Sequence, residues 1–225
     1  MARPLNREKE ITRSRILLSS SKLFIDRGYH NTRIKDIADD AKVSYNDVFR
    51  MFGDKDTILS ELVGLVLECQ YEMSEKILAS KTSDKLYIYA FETVLQLYIA
   101  ESMEHIREMY VVSYSLPHSL NKVYKTITSK LEDIFKESLP DYETKDFYEL
   151  EIASAGIMKG YIQVPCDMYF TMNRKIKRFI ETNLKIYDVN IDTINSVLEF
   201  LKQFDFEHIA KDVLDSLFNY LEKRI

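Results

Sequence analysis

In residues 32–55, TRIKDIADDAKVSYNDVFRMFGDK, apolar side chains recur twice with a helical period, with a break between the two runs. Ile34, Ile37, Ala38 and Ala41 line one face of a helix of about two turns. Lys42-Val43 makes the corner. Ser44 stands as the N-cap of a second helix, with Asp47 three residues on in the capping-box arrangement. Val48, Phe49 and Phe52 supply that helix's buried side, with Phe49 expected to sit in the core with an edge showing. Tyr45, Asn46, Asp47 and Arg50 then point outward near its start. Small Ala38 falls where the two helices must approach closely. A short helix with hydrogen-bonding side chains at its exposed N-terminal end, braced by an earlier helix, is the physical form of a helix-turn-helix reader.

Working outward, residues 8–27 predict a helix, with Ile16, Ser20, Leu23 and Phe24 at i, i+4, i+7 and i+8 and Gly28 where a left-handed cap belongs. Thr32 is the expected cap of the next helix. Asp54 is placed to cap a long helix over about 55–79, with Ile58, Leu62, Leu65 and Cys69 on one stripe. Further helices are expected at about 84–102, 104–115, 119–138, 144–161, 167–187, 191–203 and 206–223, the breaks set by Pro117, Pro140 and Pro165. Only 5 glycines and 4 prolines occur in 225 residues, and no strand-like alternation or internal repeat is found. The fold class is therefore all-α. A small N-terminal helix-turn-helix domain, 1–57, is followed by a larger helical domain, 58–225.

The apolar fraction of 46% and charged fraction of 30% are those of an ordinary globular chain. The N-terminus MARPLNREKE lacks the apolar stretch of a signal peptide, and no run approaches a membrane span, so a cytoplasmic protein with no membrane partner is expected. Cys69 and Cys166 have no metal or redox spacing. The net charge of −5 hides an asymmetry: residues 1–57 carry 12 Lys and Arg against 9 Asp and Glu, a balance of +3, which leaves −8 for the remainder. A mildly basic head on an acidic body fits a protein that touches phosphate with one end only.

Residues 11–63 resemble the DNA-binding domain of the TetR family of bacterial transcriptional regulators. The resemblance is carried by Ile16-Leu17, Leu23-Phe24, Gly28-Tyr29, Thr32, Asp36-Ile37-Ala38, Val43-Ser44, Val48-Phe49, Phe52 and Lys55. It implies an all-α homodimer, and a body that holds a small-molecule pocket controlling affinity for a double-stranded DNA operator. A repressor is the expected form. Two positions depart from the pattern. Lys42 stands where the family usually has glycine, which costs on the order of 1 kcal/mol if φ is positive there. Phe49 stands where the family usually has a tyrosine whose hydroxyl reaches a phosphate.

On this reading the helix opened by Ser44 enters the major groove, with Tyr45 and Asn46 at base edges. Asparagine can bond bidentately to adenine, and the tyrosine ring can meet a thymine methyl. Lys35 falls where the family often contacts base or phosphate. Thr32, Arg33 and Lys55 are candidates for phosphate, Arg50 for replacing the anchor missing at Phe49, and Arg3 and Arg7 for a minor-groove arm. For any of these cations the plain alternative is a solvated surface.

The remainder holds 13 of the 15 tyrosines and 9 of the 12 phenylalanines. Tyr87, Phe91, Glu92, Tyr98, Met109, Tyr110 and Tyr114 are candidates to line an aromatic effector pocket, with Glu92 and Gln96, at i and i+4, suited to a cationic or polar group. Their plain alternative is ordinary core, with Glu92 and Gln96 on a solvated stripe. Ala153, Gly156 and Gly160 make a smooth helix surface where a dimer seam is expected, together with one of the last two helices. No cofactor is implied. His30, His105, His118 and His208 form no paired metal spacing, and no catalytic motif is found. A metal-binding helix bundle would have to use Glu101, Glu104, His105 and Glu108 with Asp205 and His208, which lack the two Glu-x-x-His motifs it needs. The remaining alternative is a helical adaptor whose head has lost DNA binding.

Overall fold

The computed structural model describes the backbone of residues 4–225 and the side chains from residue 7 onward, except those of 118, 119, 121–123, 125 and 126. Arg3 and the side chain of His118 therefore lie outside the described residues. Eleven helices are found among them: α1 Pro4–Arg27, α2 Ile34–Ala41, α3 Tyr45–Phe52, α4 Lys55–Leu78, α5 Lys85–Glu101, α6 Glu104–Ser113, α7 Pro117–Phe135, α8 Thr144–Gln163, α9 Met172–Lys185, α10 Ile191–Leu201 and α11 Phe206–Glu222. None is long and apolar enough to cross a membrane.

The buried stripe of α1, with Ile16 and Phe24 fully enclosed, packs on α2, α4, α6 and α11. Gly28 ends α1 with φ +86°, its N–H donating to the Phe24 carbonyl at 3.0 Å. Glycine is required there twice over, because a Cβ would lie 2.6 Å from the Glu108 carboxylate of α6 as well as in the left-handed region. Helix α5 runs through the centre with nine buried positions, flanked by α4, α8, α10 and α11, and α7 and α8 pair alongside.

A polar network ties the two ends of the α8–α9 connection to α5 and α6. The Lys175 ammonium, 1% exposed, donates to Glu101 Oε2 at 2.6 Å and to the Val164 carbonyl at 2.6 Å. Glu101 Oε1 accepts from the Cys166 N–H at 2.8 Å and from Arg107 at 3.2 Å. Both oxygens of this half-enclosed carboxylate are thereby satisfied, the condition under which a buried ion pair is tolerated.

Three local expectations change. The cap of α2 is Arg33, not Thr32; the Arg33 N–H is met by the Asp36 carboxylate at 3.0 Å. Helix α9 starts at Met172 rather than near 167, because Asp167 Oδ1 accepts the N–H groups of Tyr169 and Phe170, each at 2.7 Å, and turns the chain. Helix α7 starts at Pro117 itself, where a proline suits the first helical turn.

Candidate nucleic-acid interface and internal cavity

Helix α3 is built by its caps. Ser44 Oγ accepts from the Asp47 N–H at 3.0 Å and the Asp47 carboxylate accepts from the Ser44 N–H at 3.3 Å, the reciprocal box read from the sequence. The hydrogen bond from the Ser44 hydroxyl holds the Asp47 carboxyl below the usual carboxylate range. Val48 and Phe52 are buried against the preceding helices and pin the inner face. Lys42 does take the left-handed conformation, φ 55° and ψ 45°, with the Val43 N–H donating to the Ala38 carbonyl at 3.0 Å. Lys42→Gly is therefore expected to raise stability by about 0.5–1 kcal/mol, the relief of the side-chain clash less the gain in unfolded-state entropy, read as a rise in melting temperature.

The outer face of α3 presents Tyr45, 51% exposed, and Phe49, 59% exposed, one turn apart, with Asn46 and Arg50 beside them. Phe49 is thus not a core residue with an edge showing; its ring stands off the helix on the same face as Tyr45. Arg50 is folded back onto Asp47. Arg33 and Lys35 of the α2 end are exposed and make no ion pair with any described residue. The α2–α3 unit balances Arg33, Lys35, Lys42 and Arg50 against Asp36, Asp39, Asp40 and Asp47. Charge attraction to phosphate is locally weak, which leaves discrimination to the exposed polar and aromatic side chains.

Two candidate phosphate contacts serve the fold instead. Thr32 is 1% exposed and its hydroxyl, 2.8 Å from the Gly28 carbonyl oxygen, donates inward. Lys55 donates to the carbonyls of Tyr29 and Thr32, at 2.7 and 2.9 Å, and lies 4.0 Å from the Tyr29 ring centroid. Together with the Tyr29 hydroxyl donating to Asp56, this fastens the α1–α2 loop to the start of α4. From the other side Glu108 of α6 accepts the N–H groups of Tyr29 and His30 at 3.2 and 3.0 Å, and His105 Nδ1–H donates to the Ile25 carbonyl at 2.7 Å. These bonds occupy His105 and Glu108, two of the residues that a metal-bundle reading would need. Among the described residues no three His, Cys, Asp or Glu side chains gather as a metal site.

A cavity of about 100 Å³ lies between α4, α5, α6, α7 and α8. Of the sequence candidates only Glu92 and Tyr114 line it, joined by Gln96, whose amide donates to the Tyr114 hydroxyl at 2.9 Å. Tyr87 and Phe91 pack edge-on to Phe200 and Phe204, Tyr98 stacks on Phe206, and all three sit on the opposite side of α5, against α10, α11 and the loop between them. Met109 and Tyr110, on α6 itself, pack into the core and do not line the cavity. Tyr89, within the aromatic run 87–92, also lines it; sequence reasoning missed Tyr71, Ser154 and above all Glu151, which is 5% exposed. Its signal was a carboxylate at i+4 in the stripe Phe147, Glu151, Ser154, Ala155, Met158.

Ala153, Gly156 and Gly160 all face outward from α8, and a Cβ at either glycine would meet nothing within 4 Å. A shallow apolar groove continues from the two glycines through Ile157, Tyr161, Val164 and Phe170 to Thr182 of α9. Of the last two helices, α11 packs against α1, α4 and α5, and α10 against α5 and α9.

A short cap-locked helix whose free face is polar and aromatic, braced by α2, is a helix-turn-helix of the DNA-reading class. Residues 16–62 match the model of the tetR family of bacterial regulatory proteins. The same region is 46% identical over 50 residues to the HTH-type transcriptional regulator HbdR of Aromatoleum sp. (strain CIB), a match covering 22% of each chain. The uncharacterized HTH-type transcriptional regulator YvkB of Bacillus subtilis (strain 168) is 26% identical over 133 residues, 58% of this chain and 65% of YvkB. The chain thus spans less than two thirds of either relative. The crystal structure of RolR in complex with resorcinol shares the fold, with a TM-score of 0.66 at 16% identity over 87% of this chain and 96% of that one.

Proposed function

We propose that the chain is a DNA-binding transcriptional regulator, a homodimeric repressor that holds a palindromic operator and releases it when a small molecule enters the cavity. Residues 1–57 act as the DNA-binding domain and 58–225 as the effector-binding and dimerisation domain, working in the cytoplasm. The observation that carries this reading is the free face of α3 in a segment that matches the model of a family of regulatory proteins. Asn46 bonds an adenine edge, Tyr45 and Phe49 offer apolar rings to thymine methyls, and Ser44, Arg33, Lys35 and a released Arg50 meet the backbone. Two copies joined along the Ala153, Gly156 and Gly160 face of α8 would present two such helices to half-sites about 34–36 Å apart. The resorcinol held by RolR supports a one-ring effector.

Helix α6 supplies the link between cavity and head. Ser113 and Tyr114 lie at the cavity, and Glu108, about one and a half turns earlier, holds the α1–α2 loop. An effector can shift DNA affinity only by its differential affinity for the two arrangements of that link. Glu108→Ala is expected to leave effector binding in place while reducing the effector's influence on operator affinity to less than about threefold, from a coupling of about 5–150-fold. Titrations of effector with and without operator DNA check this. For the reader itself, Tyr45→Ala and Asn46→Ala are each expected to relax choice at one base pair by about 1–3 kcal/mol, whereas Arg33→Ala weakens binding uniformly and lowers the salt slope by about one. Loss of affinity spread evenly over all sequences for all three variants would contradict base reading by α3.

A further inference from the structure

We propose that the internal cavity takes a small organic cation, a primary ammonium or amidinium no larger than about one aromatic ring, with Glu151 as its counter-charge and Glu92 as a second acceptor. The inference rests on the ligand-responsive reading above and adds the chemistry of the ligand. Glu151, 95% withdrawn from solvent, lines the cavity and makes no hydrogen bond or ion pair with any described residue. A buried carboxylate without a partner is costly to keep, and this one lines the same space as two further residues with acceptor oxygens, Gln96 and Glu92. Gln96 spends its amide N–H on Tyr114, which leaves its carbonyl oxygen free. The rest of the wall is mainly aliphatic, but it includes Tyr71, Tyr89 and Tyr114, and aromatic rings are the other surface that attracts a cation.

The protein's own cation at the rim behaves as the proposal requires. Lys130 lines the cavity with its ammonium 3.9 Å from the Tyr71 ring centroid, and its charge lowers the Glu92 carboxyl against burial. Among the described residues it closes no salt bridge with either glutamate and acts on Glu92 by its charge alone. Burial pushes Glu151 up to about 8, and burial with the charge of Glu75 pushes Glu92 up to about 7 even against Lys130. Around them Tyr71 of α4, Tyr89 of α5 and Tyr110 and Tyr114 of α6 are raised by burial and stay neutral. Tyr124 of α7 and Tyr187 after α9, which feel the charge of Glu151, are raised as well. The two glutamates and Lys130 are thus the groups that set the charge of the site near neutral pH. An entering ammonium favours the carboxylate form, so binding expels a proton from Glu151 to buffer, and affinity climbs with pH until Glu151 is ionised in the empty site.

The test is calorimetric titration of the full chain with benzylamine hydrochloride and, as the neutral match in size, benzyl alcohol, from pH 6 to pH 8 in buffers of different ionisation enthalpy. Benzylamine is expected to bind with affinity rising up to about tenfold per pH unit and with proton release, while benzyl alcohol binds at least tenfold more weakly at pH 8. Glu151→Gln, a match in shape for the neutral carboxyl, is expected to lose at least tenfold for benzylamine and to flatten the pH dependence to the smaller part due to Glu92, while helical circular dichroism is unchanged. Should that variant fail to fold, Glu92→Gln and the wild-type pH profile decide. Equal binding of the two probes, a flat pH profile, an unaffected Glu151→Gln protein, or no benzylamine binding at millimolar concentration would each overturn the cation. Selection of random duplex DNA on the same preparation separates the two readings. DNA choice without amine binding removes only this inference, and amine binding without DNA choice removes only the regulator.

Discussion

Glu101→Ala is expected to lower the unfolding free energy by about 3–5 kcal/mol, the loss characteristic of a buried ion pair with one partner removed. The reason lies in what stays behind. Lys175 is almost wholly enclosed, and without Glu101 its ammonium keeps only the Val164 carbonyl. The Cys166 N–H and Arg107 lose an acceptor at the same time. A double variant, Glu101→Gln with Lys175→Met, removes the stranded charge and should recover part of the loss, which urea denaturation can measure. The pH dependence has a definite sign. Burial pushes the Glu101 carboxyl up, but the hydrogen bonds from Lys175 and Cys166 and the nearby cations outweigh it and hold it below 4.5. A depressed folded value gives stabilisation that is complete above the ordinary value and lost as pH falls through the folded one. Wild-type protein should therefore show an acid-labile connection between α8 and α9 that Glu101→Gln no longer shows. Additive losses for Glu101→Ala and Lys175→Met would show that the pair does not act as a unit.

The second large effect has the opposite sign. Glu151→Gln is expected to stabilise the ligand-free fold by on the order of 3 kcal/mol at pH 8 and by almost nothing at pH 4. Burial raises the folded value of this carboxyl from 4.5 to about 8. A raised folded value means that its contribution is intact below the unfolded value and drains away as pH rises through the folded one, because folding then holds a proton that the unfolded chain releases. Glutamine keeps the shape without the proton. Melting temperatures at pH 4, 6 and 8 check the sign, and a variant less stable than wild type at pH 8 would mean that Glu151 is held by a favourable contact after all. Stability given up at a ligand site is a common exchange for function.

The parts of the molecule that were legible in sequence are those set by neighbours a few residues away. The Ser44–Asp47 box, the glycine cap after α1 and the apolar stripes of α1 and α2 all obey local rules, and the helices follow from them; in α4 the buried stripe follows Ile58 and Leu62 but continues through Val66 and Gln70, with Leu65 and Cys69 half-buried. Lys55 went astray because its partners are carbonyls of a distant loop, 26 residues away in the case of Tyr29, and Thr32 because its hydroxyl turns inward to the Gly28 carbonyl instead of outward as a cap. On α5 the aromatic richness was visible but the facing was not. Tyr87, Phe91 and Tyr98 share one side of that helix and Tyr89, Glu92 and Gln96 the other, and only the packing of the helices around it decides that Glu92 and Gln96 meet the cavity beside α8 while Tyr98 meets a separate hollow beside α9 and α10. Helix α8 was read for its small residues, which do face outward as the dimer reading needs, and so the carboxylate on its inner stripe was passed over. Phe49 was taken for core because apolar residues usually are; on a two-turn helix with Val48 and Phe52 already inside, it has nowhere to turn but out.

The central claim is that α3 reads sequence. Its most direct measurement is selection of the full-length chain on random-sequence duplex DNA at a stated, near-physiological salt concentration. The account predicts recovery of one palindrome, with two half-sites about one helical turn apart or a multiple of it and a specific affinity at least about 10³ above that for random duplex. Sequence-blind binding that fades with salt, or no binding, would contradict it, and would leave a helical adaptor in which the strained turn at Lys42 and the locally balanced charge of α2 and α3 have taken the head out of use.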